Sequence, residues 1–483
     1  MRSQRVKSKQ RLTRVGLIGL GLEAYWEQFQ GLRERLLGYV DVVSQRIGAP
    51  SRVVVNLGLI DSPEKALDAG HACRAQDIDI LFVYVTTYAL SSTLLPVVLR
   101  ARVPIVLLNL QPAAAIDYST FNRIGNRTDM TGEWLAYCSS CPVPEITNVL
   151  TRLSVPFHQV TGMLHHDPAC WNEIDEWLCG AEVVHALSHS RLGLMGHYYN
   201  GMLDISTDLV QLSGRFGIHI EMLEVDELSA LRRQITEDRI TAKMEAFRNF
   251  FQIEEDCPEE EISRAACTSS ALDQFVDEHS LNMLAYYYKG TGIPENEDII
   301  SSIILGTSML TANSVPVAGE YEVKNVVAMK IMDLLGAGGS FTEYYAMDFN
   351  DDLVLMGHDG PGHAGIAQDK IKVRPLRVYH GKMGKGLSVE MSVKRGPVTL
   401  LSVVEDKNRD FLLLVAEGES VPGAILEIGN TNSRYRFSIG ARKFVEQWNS
   451  YGPAHHCAIG LGHQASKIEK IAALLGISYR KVL

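Results

Sequence analysis

The sequence predicts an α/β chain: two doubly wound α/β domains followed by a C-terminal antiparallel, barrel-like β domain. Three observations predict it. Through the first half, near-continuous apolar runs alternate with helically spaced segments, the pattern of parallel strands covered on both faces. After "GAGG" (336–339) the texture changes to short strands of alternating polarity, the pattern of an antiparallel sheet. The length, 483 residues, suggests about three domains at roughly 150 residues each. The expected boundaries are 1–182, 183–336 and 337–483.

In chain order, "RVGLIGLGL" (14–22) is a strand and residues 24–47 have helical spacing. "SRVVVNLGLI" is a β-branched strand. "DSPEKALDAGHAC" then opens a helix with Asp61 or Ser62 as cap and Pro63 in the first turn. "IDILFVYVTT" and "VPIVLLNL" are buried-type strands on either side of the helix "SSTLLPVVLRA". The segment from Ala181 to Ser206 is expected to hold a strand and a glycine-rich loop leading into "TDLVQLSGRFG". "IHIEMLEV" is a further strand, and residues 226–252 and 258–288 are expected as long helices. "SIILGTSMLTANS" and residues 323–336 are helices. The β domain comprises "SFTEYYAMDF", "DDLVLMGH", "LSVEMSV", "GPVTLLSVVED", "DFLLLVAEGE" and "YRFSI", and "KIEKIAALLGI" closes the chain as a helix.

The net charge of −11 argues against general nucleic-acid binding, which rests on basic surfaces. No stretch approaches the ~20 apolar residues of a membrane span. The basic N-terminus runs straight into "VGLIGLGL" and Glu23, which predicts a solvated tail and a first strand rather than a signal peptide. Eight cysteines in a chain of this size do not form a disulfide framework. "CSSC" (Cys138–Cys141) has redox spacing, but it follows a helix-like "GEWLAY" rather than a strand. Reduced thiols in a cytoplasm are the expectation.

"VGLIGLG" resembles a dinucleotide loop only in part. The fingerprint needs G-x-G-x-x-G and an acidic residue about 20 positions on. Here the order is G-x-x-G-x-G, bulky residues follow, and Asp61 lies too far along. A dehydrogenase is therefore a minor alternative.

The chemistry points to "SFTEYYAMDFNDDLVLMGH" (340–358). Glu343 shares the alternation of Phe341, Tyr345, Met347 and Phe349, and a carboxylate on an apolar face is costly unless something pairs it. "NDD" (350–352) reads as a turn. A turn at Asn350 and Asp351 sets Glu343 opposite His358, and any even-length turn keeps the two on one face. An odd turn separates them. Glu320, in "VAGEYEVKN", directly precedes a helix whose N-terminus favours a carboxylate. His455 and His456 lie in the glycine-flanked "GPAHHCAIGLGH". Two carboxylates with imidazoles form a hard-to-borderline ligand set suited to Mn²⁺, Co²⁺ or Mg²⁺ rather than to a thiolate zinc site.

The run "GEYEVKN…IMDLLGAGGSFTEYYAMDFNDDLVLMGH…GPAHHCA" resembles the L-arabinose isomerase family, with L-fucose isomerases more distant. The order of elements agrees over essentially the whole length, and the motifs are specific from residue 317 onward. The resemblance implies that Glu320, Glu343, His358 and His456 are metal ligands. It implies that Glu320 and Glu343 are also the acid/base pair, with His455 beside the substrate. It further implies that Met195 and Tyr88 contact the sugar, Tyr88 standing where the family has phenylalanine. The implied activity is aldose–ketose isomerisation through an enediol, with Mn²⁺ the expected metal and a hydride shift the competing route. The implied partner is a small sugar, with the chain assembling as a homo-oligomer, a hexamer in the family. Gly21 stands near a family glutamine and Met130 near a family histidine, so the implied sugar pocket differs from the standard one. A non-catalytic sugar-binding or regulatory protein is the rival outside catalysis.

Overall fold

The computed structural model describes residues 11–290, 292–376 and 385–483. The first ten residues, most of the basic tail, lie outside them. Two compact units divide at His185/Ala186.

The first unit is built on a parallel five-stranded sheet. Its strands are β1 (Thr13–Leu20), β2 (Arg52–Ile60), β3 (Ile80–Val85), β4 (Ile105–Gln111) and β5 (His158–Met163), in the order β2-β1-β3-β4-β5. This is the flavodoxin-like doubly wound order. Every residue of β3 is buried, as expected for a strand covered on both faces. The helices are α1 (Leu32–Arg46), α2 (Pro63–Ala75), α3 (Ser91–Ala101), α4 (Tyr118–Asn122), α5 (Arg127–Leu135), α6 (Val143–Arg152) and α7 (Pro168–Ser188). Ser62 is the cap of α2, its side chain accepting from the Lys65 amide. Asp61 instead accepts from the Trp26 indole at 2.8 Å and from Lys65 Nζ at 2.6 Å.

Several expectations need correction here. Residues 23–31 form a 3-10 turn and a loop, and α1 starts only after Gly31, which is left-handed. The segment 181–188 continues α7 instead of starting a strand. Cys138 and Cys141 form a disulfide with Cα atoms 5.7 Å apart, in place of the expected free thiols. Two cysteines three apart can approach this closely in the turn that follows α5, without a larger disulfide framework. Trp26 stands over Gly21, where an added Cβ would come within 3.0 Å of the indole.

The second unit carries a parallel four-stranded sheet and a closed β-barrel. The sheet holds β6 (Arg191–Gly196), β7 (His219–Leu223), β9 (Met283–Tyr287) and β10 (Val317–Ala318), ordered β10-β9-β6-β7; the short β8 is Gln252–Ile253. Its helices are α8 (Leu209–Phe216), α9 (Val225–Arg232), α10 (Glu237–Phe250), α11 (Glu259–His279), α12 (Pro294–Ile300), α13 (Ile304–Ala312) and α14 (Val323–Leu334). The expected helix 226–252 is thus broken at residues 233–236. The expected helix 258–288 ends at His279 and gives way to β9. Its five residues "MLAYY" are all buried, and such a short apolar run cannot be told from buried helix by periodicity.

The remaining strands are β11 (Gly338–Asp348), β12 (Leu353–His358), β13 (Lys372–Pro375), β14 (Leu387–Glu390), β15 (Gly396–Glu405), β16 (Phe411–Val421), β17 (Thr431–Arg436), β18 (His456–Leu461) and β19 (Ser478–Val482). Helices α15 (Ala441–Ser450) and α16 (Ala465–Leu475) lie between the last of them. Six strands close as an antiparallel ring, β15-β18-β11-β12-β17-β16, sealed by the β15–β16 pairing. β19 joins β16 in parallel outside the ring. Closure removes the unpaired edges that an open sheet would expose. Val354, Met356, Leu400, Leu414, Tyr435 and Ile459 belong to the apolar core inside. The paired histidines, expected in a glycine-flanked segment, straddle the start of ring strand β18.

Candidate metal centre

β11 supplies the centre of the site. Phe341 and Glu343 alternate with Thr342 and Tyr344, and the latter pair faces the barrel core. Glu343 pairs with His456 of β18 on one side and with Gly357 of β12 on the other. The turn after β11 is even, four residues from Phe349 to Asp352, and Met347 pairs with Val354 as expected. The register then shifts between Tyr344 and Ala346, because Tyr345 is an extra, bulged residue. Glu343 therefore opposes Gly357 rather than His358, and the alternation argument fails by one residue.

His358 still reaches the site because it is the last residue of its strand. Its amide donates to Thr431 Oγ1, and that hydroxyl donates back to its carbonyl, both at 3.0 Å. Its ring lies 4.4 Å from the Phe341 ring, which lies 4.3 Å from the His456 ring. A Cβ on Gly357 would collide with the Thr431 carbonyl, so the absence of a side chain there allows β17 to come close behind His358.

Glu320 comes from a sharp corner between β10 and α14. It and Tyr321 both adopt left-handed backbone, with φ of 58° and 63°. Non-glycine residues rarely take this conformation, and consecutive instances store strain that the surroundings must hold. The corner aims the carboxylate at three imidazoles. Oε2 lies 3.3 Å from His456 Nε2 and 3.9 Å from His455 Nε2, and Oε1 lies 3.9 Å from His358 Nε2. Donor atoms within 4.8 Å of one another form two triads, Glu320–His358–His456 and Glu343–His455–His456. His456 belongs to both. Four expected ligands and the neighbouring His455 therefore converge, with Glu343 and His358 linked through His456.

The electrostatics suit a cation. Burial, with the adjacent His455, pushes the His456 pKa well below the ordinary imidazole value, so the ring is neutral and its lone pair is available. Burial opposes charge on His455 too, but its hydrogen bond to Asp204 outweighs this and raises the pKa. Cys457 takes no part: it is buried in the barrel core, which pushes its thiol up.

Glu322, not among the expected ligands, caps α14 in position but makes no capping bond. It is fully buried, and Oε2 sits 3.6 Å from His456 Nδ1. Burial pushes its pKa up to about 7. A carboxylate behind the second nitrogen of a ligating histidine is the usual outer support of a metal site. Its signal was available in "GEYE", the acidic residue two positions after Glu320.

The implied sugar contacts fare differently. Met195 is fully buried in the core of the four-stranded sheet, because its strand is covered on both faces. It offers no surface to a substrate. Tyr88 belongs to the first unit, half-buried against the cluster of Leu32, Leu36 and Leu135. His455 is at the mouth, its side chain 36% exposed against 1% for His456.

Residues 338–478 match the family model described as L-arabinose isomerase C-terminal domain. Over part of its length the chain is similar to the L-arabinose isomerases. The L-arabinose isomerase of Shewanella sp. (strain ANA-3) is 23% identical over 326 residues, 63% of this chain and 62% of that protein. The L-arabinose isomerase of Nocardioides sp. (strain ATCC BAA-499 / JS614) is 21% identical over 350 residues, 69% of this chain and 67% of its own. The sulfoquinovose isomerase of Alkalicoccus urumqiensis is 24% identical over 258 residues, covering 51% and 56% respectively. The similarity to the first of these L-arabinose isomerases thus spans under two thirds of that protein's length. A UDP-GlcNAc 2-epimerase structure from Methanocaldococcus jannaschii aligns with 68% of this chain and 92% of its own, at 9% identity and a TM-score of 0.14, too low to inform the fold.

Proposed function

We propose that the chain is a metal-dependent aldose–ketose isomerase acting on a pentose or hexose, of the L-arabinose/L-ribulose or D-galactose/D-tagatose type. The observation that carries this reading is the pair of donor triads, Glu320–His358–His456 and Glu343–His455–His456, that share His456 at the start of β18. It lies beside and within the region that matches the L-arabinose isomerase C-terminal domain. The donor set of carboxylates and imidazoles, with the nearest thiol turned into the core, favours Mn²⁺, with Co²⁺ or Mg²⁺ as substitutes.

Isomerisation moves a proton between adjacent carbons of the sugar. A bound divalent ion would supply Lewis acidity toward the sugar's oxygens. Glu320 and Glu343 are the two proton-handling groups: one removes the carbon-bound proton and returns it to the neighbouring carbon, and the other moves the hydroxyl proton. Phe341, packed against His358 and His456, excludes water from beneath them. His455 contacts a sugar hydroxyl at the mouth. Tyr88 remains a proposed sugar contact. The same reading entails three domains, a cytoplasmic protein and a homo-oligomer.

Equilibrium dialysis against Mn²⁺, followed by a screen of pentoses, hexoses and 6-deoxyhexoses, tests the proposal. Binding in the wild type that is lost in Glu343→Gln is expected. Negligible uptake by both proteins would sink the reading. Isomerisation in deuterium oxide is expected to place solvent deuterium at the transferred position, and full retention of the original label would point to a hydride shift.

A further inference from the structure

We propose that Asp204 is a positioning residue of this site, holding His455 so that its Nε2 faces the reacting sugar. This rests on the isomerase reading and adds to it a residue from a distant loop. His455 and His456 are neighbours in sequence, with ring centroids 3.8 Å apart, yet they differ in support. His456 is buried and backed by Glu322. His455 is partly open to solvent, and side chains at a pocket mouth need an anchor to keep one orientation.

Asp204 provides it twice. One carboxylate oxygen, Oδ2, accepts from the His455 backbone amide at 3.0 Å and lies 2.6 Å from the His455 Nδ1. A carboxylate accepts only, so Nδ1 carries the hydrogen and Nε2 is fixed as the atom turned toward Glu320, 3.9 Å away. The anchor is itself anchored. Lys324, 4% exposed in the first turn of α14, donates from Nζ to the carbonyls of Asp204 at 2.7 Å and Ser206 at 2.8 Å. The Tyr199 amide meets the Glu320 carbonyl at 3.4 Å. The loop from His197 to Asp208 is thus fastened to the corner that presents Glu320. One connected set of bonds fixes both the carboxylate and the imidazole at the mouth.

The test uses full-length protein, metal-free and Mn²⁺-loaded. Nitrogen-15 spectra of the histidine rings in metal-free protein, assigned with His455→Gln, are expected to show the Nδ1–H form in wild type. That form is expected to be lost in Asp204→Ala. A wild-type ring that carries its hydrogen on Nε2 and none on Nδ1 overturns the proposal. In the loaded enzyme, Asp204→Ala is expected to lower kcat/KM by about 10–100-fold with Mn²⁺ affinity held within about threefold. Asp204→Asn, which keeps an acceptor, recovers part of the loss and serves if the alanine variant fails to fold. In a His455→Gln background, Asp204→Ala is expected to cost little further. Fully additive losses would mean that Asp204 acts elsewhere and would overturn the proposal. A wild type that isomerises no sugar removes the functional reading, and the ring spectra then decide the Asp204–His455 arrangement by themselves.

Discussion

Glu322→Gln should weaken Mn²⁺ binding by about 10–100-fold, measured by dialysis, because it removes the charge behind His456 Nδ1 while keeping the side chain's shape. Gly357→Ala should act on the same centre through the backbone. Its Cβ would meet the Thr431 carbonyl, so β12 and β17 must part. A loss of about 1–3 kcal/mol in stability is expected from denaturant unfolding, together with weaker metal uptake through His358. At this scale the sequence was informative where residue type alone carries the chemistry. Glu343 stood out as a carboxylate on an apolar alternation, and the histidine pair stood out by its flanking glycines. Asp204 was invisible, because its partner lies 251 residues away and nothing local distinguishes it from other loop aspartates. Met195, a sugar contact implied by the resemblance, belongs to the buried strand β6 rather than to the glycine-rich loop expected there.

Among elements, the bulge at Tyr345 shows what periodicity cannot reach. Alternation and turn parity were both read correctly for the outer half of the β11–β12 hairpin, where Met347 meets Val354. One extra residue then reversed the inner half. Strand β9 was absorbed into a helix because five buried residues carry no period of their own. In the first unit, α7 is tied to the strand side of the sheet by His185, whose Nδ1 lies 3.0 Å from Asp79 Oδ1 and whose Nε2 lies 2.8 Å from the Arg11 carbonyl. The Asp79 hydrogen bond outweighs burial and raises the His185 pKa above 6.5. Asp79, despite burial, is lowered below 3.8 by the same bond and by the Arg14 amide. The histidine's contribution to stability is therefore full below about pH 6.5 and is lost as pH rises through its raised value. The aspartate's contribution is present above about pH 3.8 and is lost as pH falls through its lowered value. Thermal unfolding followed across pH should show the first unit most stable between these limits. His185→Ala should flatten the decline on the alkaline side, and an unchanged decline would assign it to other groups.

At the scale of the whole molecule, the change of texture after residue 336 was legible because sheets with opposite strand directions write different patterns. The barrel itself was expected, but which strands seal it was not legible, since that depends on the pairing of β15 with β16 and β18 rather than on any one strand. All five converging site residues, together with Asp204 and Glu322, lie in the second unit. A fragment beginning at Ala186 is therefore expected to take up Mn²⁺ within about tenfold of the full chain's affinity, provided that it folds as a domain of its size should. Loss of uptake by a folded fragment would overturn this expectation. The corner at Glu320 has a consequence for how such a protein changes under selection. A left-handed non-glycine residue costs roughly 1–2 kcal/mol, and glycine at that position would recover much of it. Variants selected only for heat resistance should accumulate Glu320→Gly, gaining a few degrees while giving up the carboxylate. Selection for turnover should restore the glutamate. On the proposed isomerase reading, that single corner places endurance and chemistry in direct competition.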